Sequence, residues 1–299
     1  MLKNFEELRK YTNDKTKKTV AVVCSHDDHT LEAVLKAQDE NIINSILIGH
    51  KDEILRISEE LGYKIDLDSI IDVQSDEDAA LIATELINNN KADFLQKGLM
   101  QTATLLKAVV NKETGISLGR PMSHTALLEI PGYHKLLGIT DGGMIPSPDL
   151  EAKKAIVQNA VELFHQLGYD KPLISAICGA ETVSPKIIET VDAAALKEAA
   201  LNGEFGSCYV EGPVSFDLAM DKESASIKGY QSPVCGDTDI LLVPDMTAGN
   251  MTVKALILFA KAKMTGVVTG ARCPIALNSR SASFEEKYNS LLLCAAICD

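Results

Sequence analysis

Four segments carry side chains whose types and spacing suit anion chemistry. In Lys97-Gly-Leu-Met-Gln-Thr-Ala-Thr-Leu-Leu-Lys107 an apolar run ends, Gly98 frees a turn, and Thr102 and Thr104 precede an expected helix. Exposed N–H groups at a helix start, with hydroxyls beside them, suit a phosphate, although a simply capped helix uses the same residues. There is no GxxxxGK motif, so a nucleotide P-loop is not expected. Gly115-Ile-Ser-Leu-Gly-Arg-Pro-Met-Ser-His-Thr125 offers Arg120 and His124. The chain has five arginines, and Arg120, Arg272 and Arg280 fall near Pro, Gly or Ser in expected loops. A guanidinium fork matches a phosphate in two-point contact. His124 suits donation to an oxyanion or a structural place at a strand start.

The third segment, Pro244-Asp-Met-Thr-Ala-Gly-Asn-Met-Thr252, follows a strand and feeds a helix. Asp245 and Asn250 are polar groups at the strand's carboxyl end, and Asn250 or Thr252 also suits a helix cap. The fourth is Asn278-Ser-Arg-Ser-Ala-Ser-Phe-Glu-Glu-Lys287. Ser283-x-x-Glu286 fits a capping box, which accounts for those two residues and leaves Ser279 and Arg280 without a structural reason.

The elements that must position these groups alternate in type. Runs 19–24, 45–48, 92–96, 173–178, 239–243 and 265–269 read as strands. Stretches 31–37, 52–61, 76–87 and 252–263 read as helices, and Ser147-Pro148 opens another, with Ser147 as its cap. This is the βαβ pattern of a mostly parallel sheet. In such sheets ligands bind beyond the carboxyl ends of the strands, and the segments that begin at Lys97 and Pro244 each follow a strand. Composition marks no domain boundary, and turn-rich Glu129-Ile-Pro-Gly-Tyr133 is the best candidate.

The 299 residues favour two domains. Hydrophobic residues make up 46%, aromatics only 5%, and Trp is absent, so aliphatic side chains must fill the core, as in covered parallel sheets. With a net charge of −13 and no Lys/Arg block, neither nucleic acid nor an anionic membrane is an expected partner, and anion capture must come from a few focused cations. No apolar run reaches membrane-spanning length, and residues 1–18 are polar, without the apolar centre of a secretory signal. Seven scattered cysteines with no CxxC read as reduced thiols of a cytoplasmic protein. His26 and His29 stand three apart without a neighbouring Cys or a matching pair, so no metal is expected.

Taken in order, Lys97-Gly-x-x-x-Thr-Ala-Thr, Met122-Ser-His124, Gly212-Pro-Val-Ser-Phe-Asp217, Pro244-Asp-x-x-x-Gly-Asn250 and Ser279-Arg280 resemble the phosphate acetyl/butyryltransferases, with the butyryl-transferring members nearest. The resemblance covers nearly the whole chain. It implies transfer of a short acyl group between coenzyme A and inorganic phosphate, with no cofactor. It implies two α/β domains with mostly parallel sheets and a cleft between them, as in isocitrate and isopropylmalate dehydrogenases. The first domain would be discontinuous, 1–132 with about 279–299, and the second would be 133–278. It also implies a homodimer or higher homo-oligomer.

By the same resemblance Ser279 and Arg280 are catalytic, with Glu286 or Glu285 as base. Lys97, Gly98, Thr102, Thr104, Lys107, Arg120, His124 and Asn250 would bind phosphate or coenzyme A. Lys107 stands where relatives often carry Arg, which keeps the charge but loses the fork. Relatives place the acidic residue in either of two registers, which fall on Glu286 and Glu285 here. Other readings remain open at this point. The transferred group could be acetyl. The fold also hosts metal-dependent dehydrogenases, and Asp217, Asp221, Asp237, Asp239 and Asp245 are numerous, although Asp217 and Asp221 read as one solvated helix face. A silent acyl-CoA-binding member is the third reading.

Overall fold

The computed structural model describes residues 1–279 and 282–298. In chain order come α1 (Phe5–Asn13), β1 (Lys18–Val23), α2 (Asp28–Asp39), β2 (Ile43–Gly49), α3 (Lys51–Glu60), β3 (Ile70–Asp72), α4 (Asp76–Asn88), β4 (Phe94–Lys97) and α5 (Thr102–Val109). There follow β5 (Ser123–Glu129), β6 (Leu137–Thr140), α6 (Leu150–Gln166), β7 (Leu173–Ile177), α7 (Ile188–Leu201), β8 (Tyr209–Val214), α8 (Phe216–Met220), α9 (Lys222–Ile227), β9 (Ile240–Leu242) and α10 (Met246–Phe259). The chain closes with β10 (Lys263–Thr269), β11 (Ile275–Ala276) and α11 (Phe284–Ile297). Among the described residues no helix is long and apolar enough to cross a membrane.

The chain divides into two compact units. One is discontinuous, residues 5–120 with 265–299; the other holds 1–4 and 121–264. This division places 121–132 with the middle of the chain and 265–278 with the C-terminal helix, where the sequence reading put them the other way. The four N-terminal residues go with the middle unit because Leu2 is tied there: its carbonyl accepts from Leu136 N at 2.9 Å, and its N–H donates to the Tyr169 hydroxyl at 3.0 Å.

In the discontinuous unit the strand order is β3-β2-β1-β4-β11-β10, parallel except for β10. Val20 to Val23 of β1 are fully buried, so this strand reads as an unbroken apolar run rather than an alternating one. The chain moves from β1 outward to β2 and β3, then crosses back to place β4 on β1's other side. That reversal between β1 and β4 is a topological switch point, where open sheets leave a crevice at their carboxyl edge. In α11 every residue from Lys287 to Ile297 is buried, as a helix apolar on nearly all sides must be.

The middle unit has the order β5-β6-β9-β7-β8, with β5 antiparallel to β6 and the others parallel. Three local readings are corrected. Asp149, not Ser147, caps α6, accepting from Ala152 N at 2.8 Å. α10 begins at Met246, six residues before the expected start, because Asp245 caps it by accepting from Ala248 N at 2.9 Å. Asp217 and Asp221 do not share a helix: Asp217 lies in α8 and Asp221 caps α9. α10 leaves Met251, Leu258 and Phe259 exposed, the last at 86%.

Candidate active site

The switch-point crevice of the discontinuous unit is built by Gly98. A Cβ at this position would lie 2.2 Å from the Cys24 carbonyl oxygen and 2.8 Å from that of Val23, so only glycine lets the chain leave β4 so close to the end of β1. The Gly98 and Leu99 N–H groups donate to those same two carbonyls, each at 2.8 Å. Before this turn the Lys97 ammonium is buried and donates to the Gly98 carbonyl at 3.1 Å. Beyond it α5 starts at Thr102, and half-buried Thr102 and Thr104 occupy its first turn. Lys107 is exposed, one turn on from Thr104 along the same face.

β11 brings the fourth segment to the same edge. Ile275 pairs with Leu95 and Ala276 with Gln96 in parallel register, so Asn278 and Ser279 leave the sheet beside Gly98 and Leu99. Ser279 is exposed and Asn278 is buried. Asn278 Nδ2 donates to Ser290 Oγ at 2.8 Å and to Glu286 Oε1 at 3.5 Å. Ser283 caps α11, its Oγ accepting from Glu286 N at 3.2 Å. Burial raises the Glu286 carboxyl above its ordinary value, while the Asn278 bond and the Lys287 charge pull the other way. Glu285 is exposed. Arg120 is half-buried at the end of a segment tied to the approach to β11, where Ser117 bridges Ala271 and Arg272 N donates to the Ile116 carbonyl at 2.9 Å. Arg272 itself is engaged, donating to Asn88 Oδ1 at 2.7 Å. Arg280 lies outside the described residues.

His124 and Asn250 lie in the middle unit, at its own carboxyl edge. Thr125 pairs with Thr140, which sets half-buried His124 opposite Asp141. Burial lowers the His124 value and raises that of Asp141; each one's charge opposes the other's shift. Asp141 also accepts N–H bonds from Gly143, Met144 and Ile145 at 2.8, 2.9 and 3.2 Å. That turn packs on the start of α10 through paired glycines: a Cβ on Gly249 would lie 2.8 Å from Gly142 Cα. Asn250 stands exposed one residue further on, within α10 rather than at its cap. Between the ends of β7 and β9 lies a cavity of about 280 Å³, lined by Ile177, Phe216, Leu241, Val243, Ala248 and Thr252 among others.

Residues 73–295 match the family model described as phosphate acetyl/butaryl transferase. Over 297 residues the chain is 37% identical to the phosphate butyryltransferase of Clostridium acetobutylicum, covering 99% of both proteins. The chain belongs to the phosphate acetyl/butyryltransferase family. The phosphate acetyltransferase of Thermotoga maritima is equally similar, 37% identical over 97% of this chain and 98% of its own. Among solved structures, a branched-chain phosphotransacylase from Enterococcus faecalis V583 superposes with a TM-score of 0.81 at 30% identity, covering 94% of this chain and 98% of that one. A 4-hydroxythreonine-4-phosphate dehydrogenase from Burkholderia phymatum, at 0.55 and 13%, shares the fold alone. As a phosphate acyltransferase the chain moves an acyl group between coenzyme A and phosphate.

Of the residues expected at the site of such an acyltransferase, Lys97, Gly98, Thr102 and Thr104 lie between β4 and the first turn of α5, Ser279 follows β11, and Glu286 lies in the first turn of α11. Sequence reasoning missed Asn278 as the partner of Glu286, Asp141 as the partner of His124, and Lys287. The Lys287 ammonium is buried and donates to Asp27 Oδ1 at 2.9 Å and Thr30 Oγ1 at 2.6 Å, tying the start of α11 to the start of α2. Burial pushes the Asp27 carboxyl up, but the bonds from Thr30 and Lys287 win and hold it below its ordinary value. A lysine directly after a capping box, followed by an apolar helix, was the available signal. Asp217, read in the sequence as part of a solvated face, belongs to a surface network. Asp217 accepts from Ser215 at 2.6 Å and pairs with Lys228 at 2.9 Å, which together lower its carboxyl to about 2.

Proposed function

We propose that the chain transfers a short acyl group, butyryl in preference to acetyl, directly between coenzyme A and phosphate in a ternary complex. The observation that supports this reading is the parallel register of β11 on β4, whose chain then runs to Asn278, bonded to Glu286, while β4 runs on to Gly98 and α5. In the forward direction a phosphate oxygen attacks the thioester carbonyl carbon, the C–S bond breaks, and the phosphate proton passes to the departing sulfur. In reverse the thiol gives up that proton and the thiolate attacks the acyl phosphate. Lys97, Thr102 and Thr104, with Arg120, Lys107 and Arg280, supply the phosphate cradle; a helix start and a few cations suffice for one anion. Ser279 donates to the developing oxyanion or the sulfur, an interaction strongest in the transition state. Glu286, with a raised carboxyl, is the proton carrier, since a base serves best near the working pH. His124 and Asn250 contribute to coenzyme A binding. No enzyme nucleophile is required, because holding two reactants in line supplies on the order of 7–11 kcal/mol.

The exposed apolar stripe of α10 supports a homo-oligomer through this helix, and the scattered, mostly buried thiols support a cytoplasmic enzyme. The test is thiol release from butyryl- and acetyl-CoA with and without phosphate, in the absence of any added cofactor. Phosphate-dependent release, faster with butyryl-CoA, is expected. Release independent of phosphate, or none with either thioester, would refute the reading.

A further inference from the structure

At the carboxyl edge of the discontinuous unit, one strand away from the switch point, the ends of β1 and β2 bring together side chains that acyl transfer does not use. His26 follows β1, His50 follows β2, and Glu53 lies in the first turn of α3. Their ligand atoms all lie within 4.8 Å of one another. The two imidazoles stack with centroids 4.5 Å apart and planes 2° from parallel. We propose that His26, His50 and Glu53 form a binding site for a divalent transition-metal ion of the zinc class.

The donor set is the first argument. Two imidazoles and a carboxylate are ligands that zinc accepts, with the fourth position open to water or a small anion. A tetrahedral zinc ion holds its ligand atoms about 3.3 Å apart, so each group must move inward by about 1 Å or less. His50 and His26 are half-buried and Glu53 is exposed, so solvent-side rotation supplies that movement. The second argument is an unsatisfied atom: His26 Nδ1 is buried with no hydrogen-bond partner among the described residues. A buried polar atom without a partner needs an explanation, and a bound ion supplies one. The third is how the chain makes room. Gly49 sits at φ +152°, and a Cβ there would lie 2.7 Å from His26 Nδ1, so the glycine before His50 lets the first ring lie against the end of β2.

Charge points the same way. Glu53, Asp76 and Asp27 surround His26 with negative charge. His29, the partner that sequence spacing offered, is exposed on α2 and outside the cluster. His26 instead meets a histidine carried on the neighbouring strand. A bound ion would clamp the β1–α2 loop to the start of α3. This proposal does not rest on the acyl-transfer reading.

The test uses the whole chain, stripped with a chelator and dialysed. Zn²⁺ alone is titrated calorimetrically, Co²⁺ alone is followed by its visible absorption, and melting is recorded with each ion. Wild type is expected to take up one equivalent, to show a low-symmetry Co²⁺ band, and to melt higher in metal. Loss of an outer-shell partner costs metal affinity about 10–100-fold, so His50→Ala should weaken binding by more than that and Glu53→Gln at least comparably. His29→Ala should leave binding intact. Both ligand positions are near the surface, and circular dichroism verifies that the variants fold. Absence of saturable binding to wild type overturns the proposal, as does binding that survives in both His50→Ala and Glu53→Gln.

Discussion

Replacing Glu286 by Gln separates a capping role from a proton-carrying role. Gln also fills the third position of a capping box, and its side-chain oxygen can still accept from Asn278, so the helix start should survive. What disappears is an ionisable carboxyl whose folded-state value is raised by burial. Such a group favours the folded state most when it carries its proton. Its contribution is complete below the unfolded-state value of about 4.3 and is lost as the pH rises through the folded value. Glu286→Gln should therefore melt at or above wild type at pH 7, and this advantage should vanish below about pH 4. Turnover should move the other way. A missing general base costs 10²–10⁴-fold, about 2.7–5.5 kcal/mol of barrier, and the acidic limb of the pH–rate profile should go with it. Glu285→Gln, on an exposed side chain, is the control. The measurements are thermal melts at several pH values and kcat for butyryl-CoA. Full turnover in Glu286→Gln would remove it as the base, and loss confined to Glu285→Gln would assign the other register.

Two further outcomes follow from contacts described above. Gly98→Ala forces a Cβ against two carbonyls, an overpacking cost of about 1–3 kcal/mol, and should lower Tm and raise the KM for phosphate; unchanged melting and kinetics would contradict the crevice geometry. Lys287→Met leaves the Asp27 carboxylate without its ammonium, a loss of about 3 kcal/mol at pH 7 by denaturant titration. Because Asp27 is held below its ordinary value, that deficit should shrink as the pH falls below about 3.9, and a pH-independent deficit would refute the pairing.

What was legible in the sequence was local. β1 announces itself as Thr-Val-Ala-Val-Val, and Ser283-x-x-Glu286 marks the start of α11, because strand burial and helix caps are written within a few residues. The partners of the site were not legible for the opposite reason. Lys287 reaches Asp27 across 260 positions, and Asn278 meets Glu286 where the end of β11 faces the start of α11. The histidines make the same point. Helical spacing suggested His26 with His29, but parallel strand ends, which no periodicity reports, set His26 beside His50. The early start of α10 was missed because Gly249 and Asn250 look like a turn, whereas Gly249 is there for its close approach to Gly142.

The discontinuous unit has a consequence for how the chain is made. β4 gains its outer neighbour only when β11 arrives, and α11 fills the core beside α1 and α2 only after Phe284–Ile297 has been made. Residues 121–264 are synthesised in between, at about 5–20 residues per second, so the first 120 residues wait roughly 7–30 s for their completion. Throughout that interval β4 presents an unpaired parallel edge and the α11 cavity stands open, the kind of surface that chaperones bind and that seeds aggregation. The middle unit faces no such delay, since all its strands are contiguous in the chain. Nascent chains stalled before residue 265 should thus carry a finished middle unit and an unfinished N-terminal sheet.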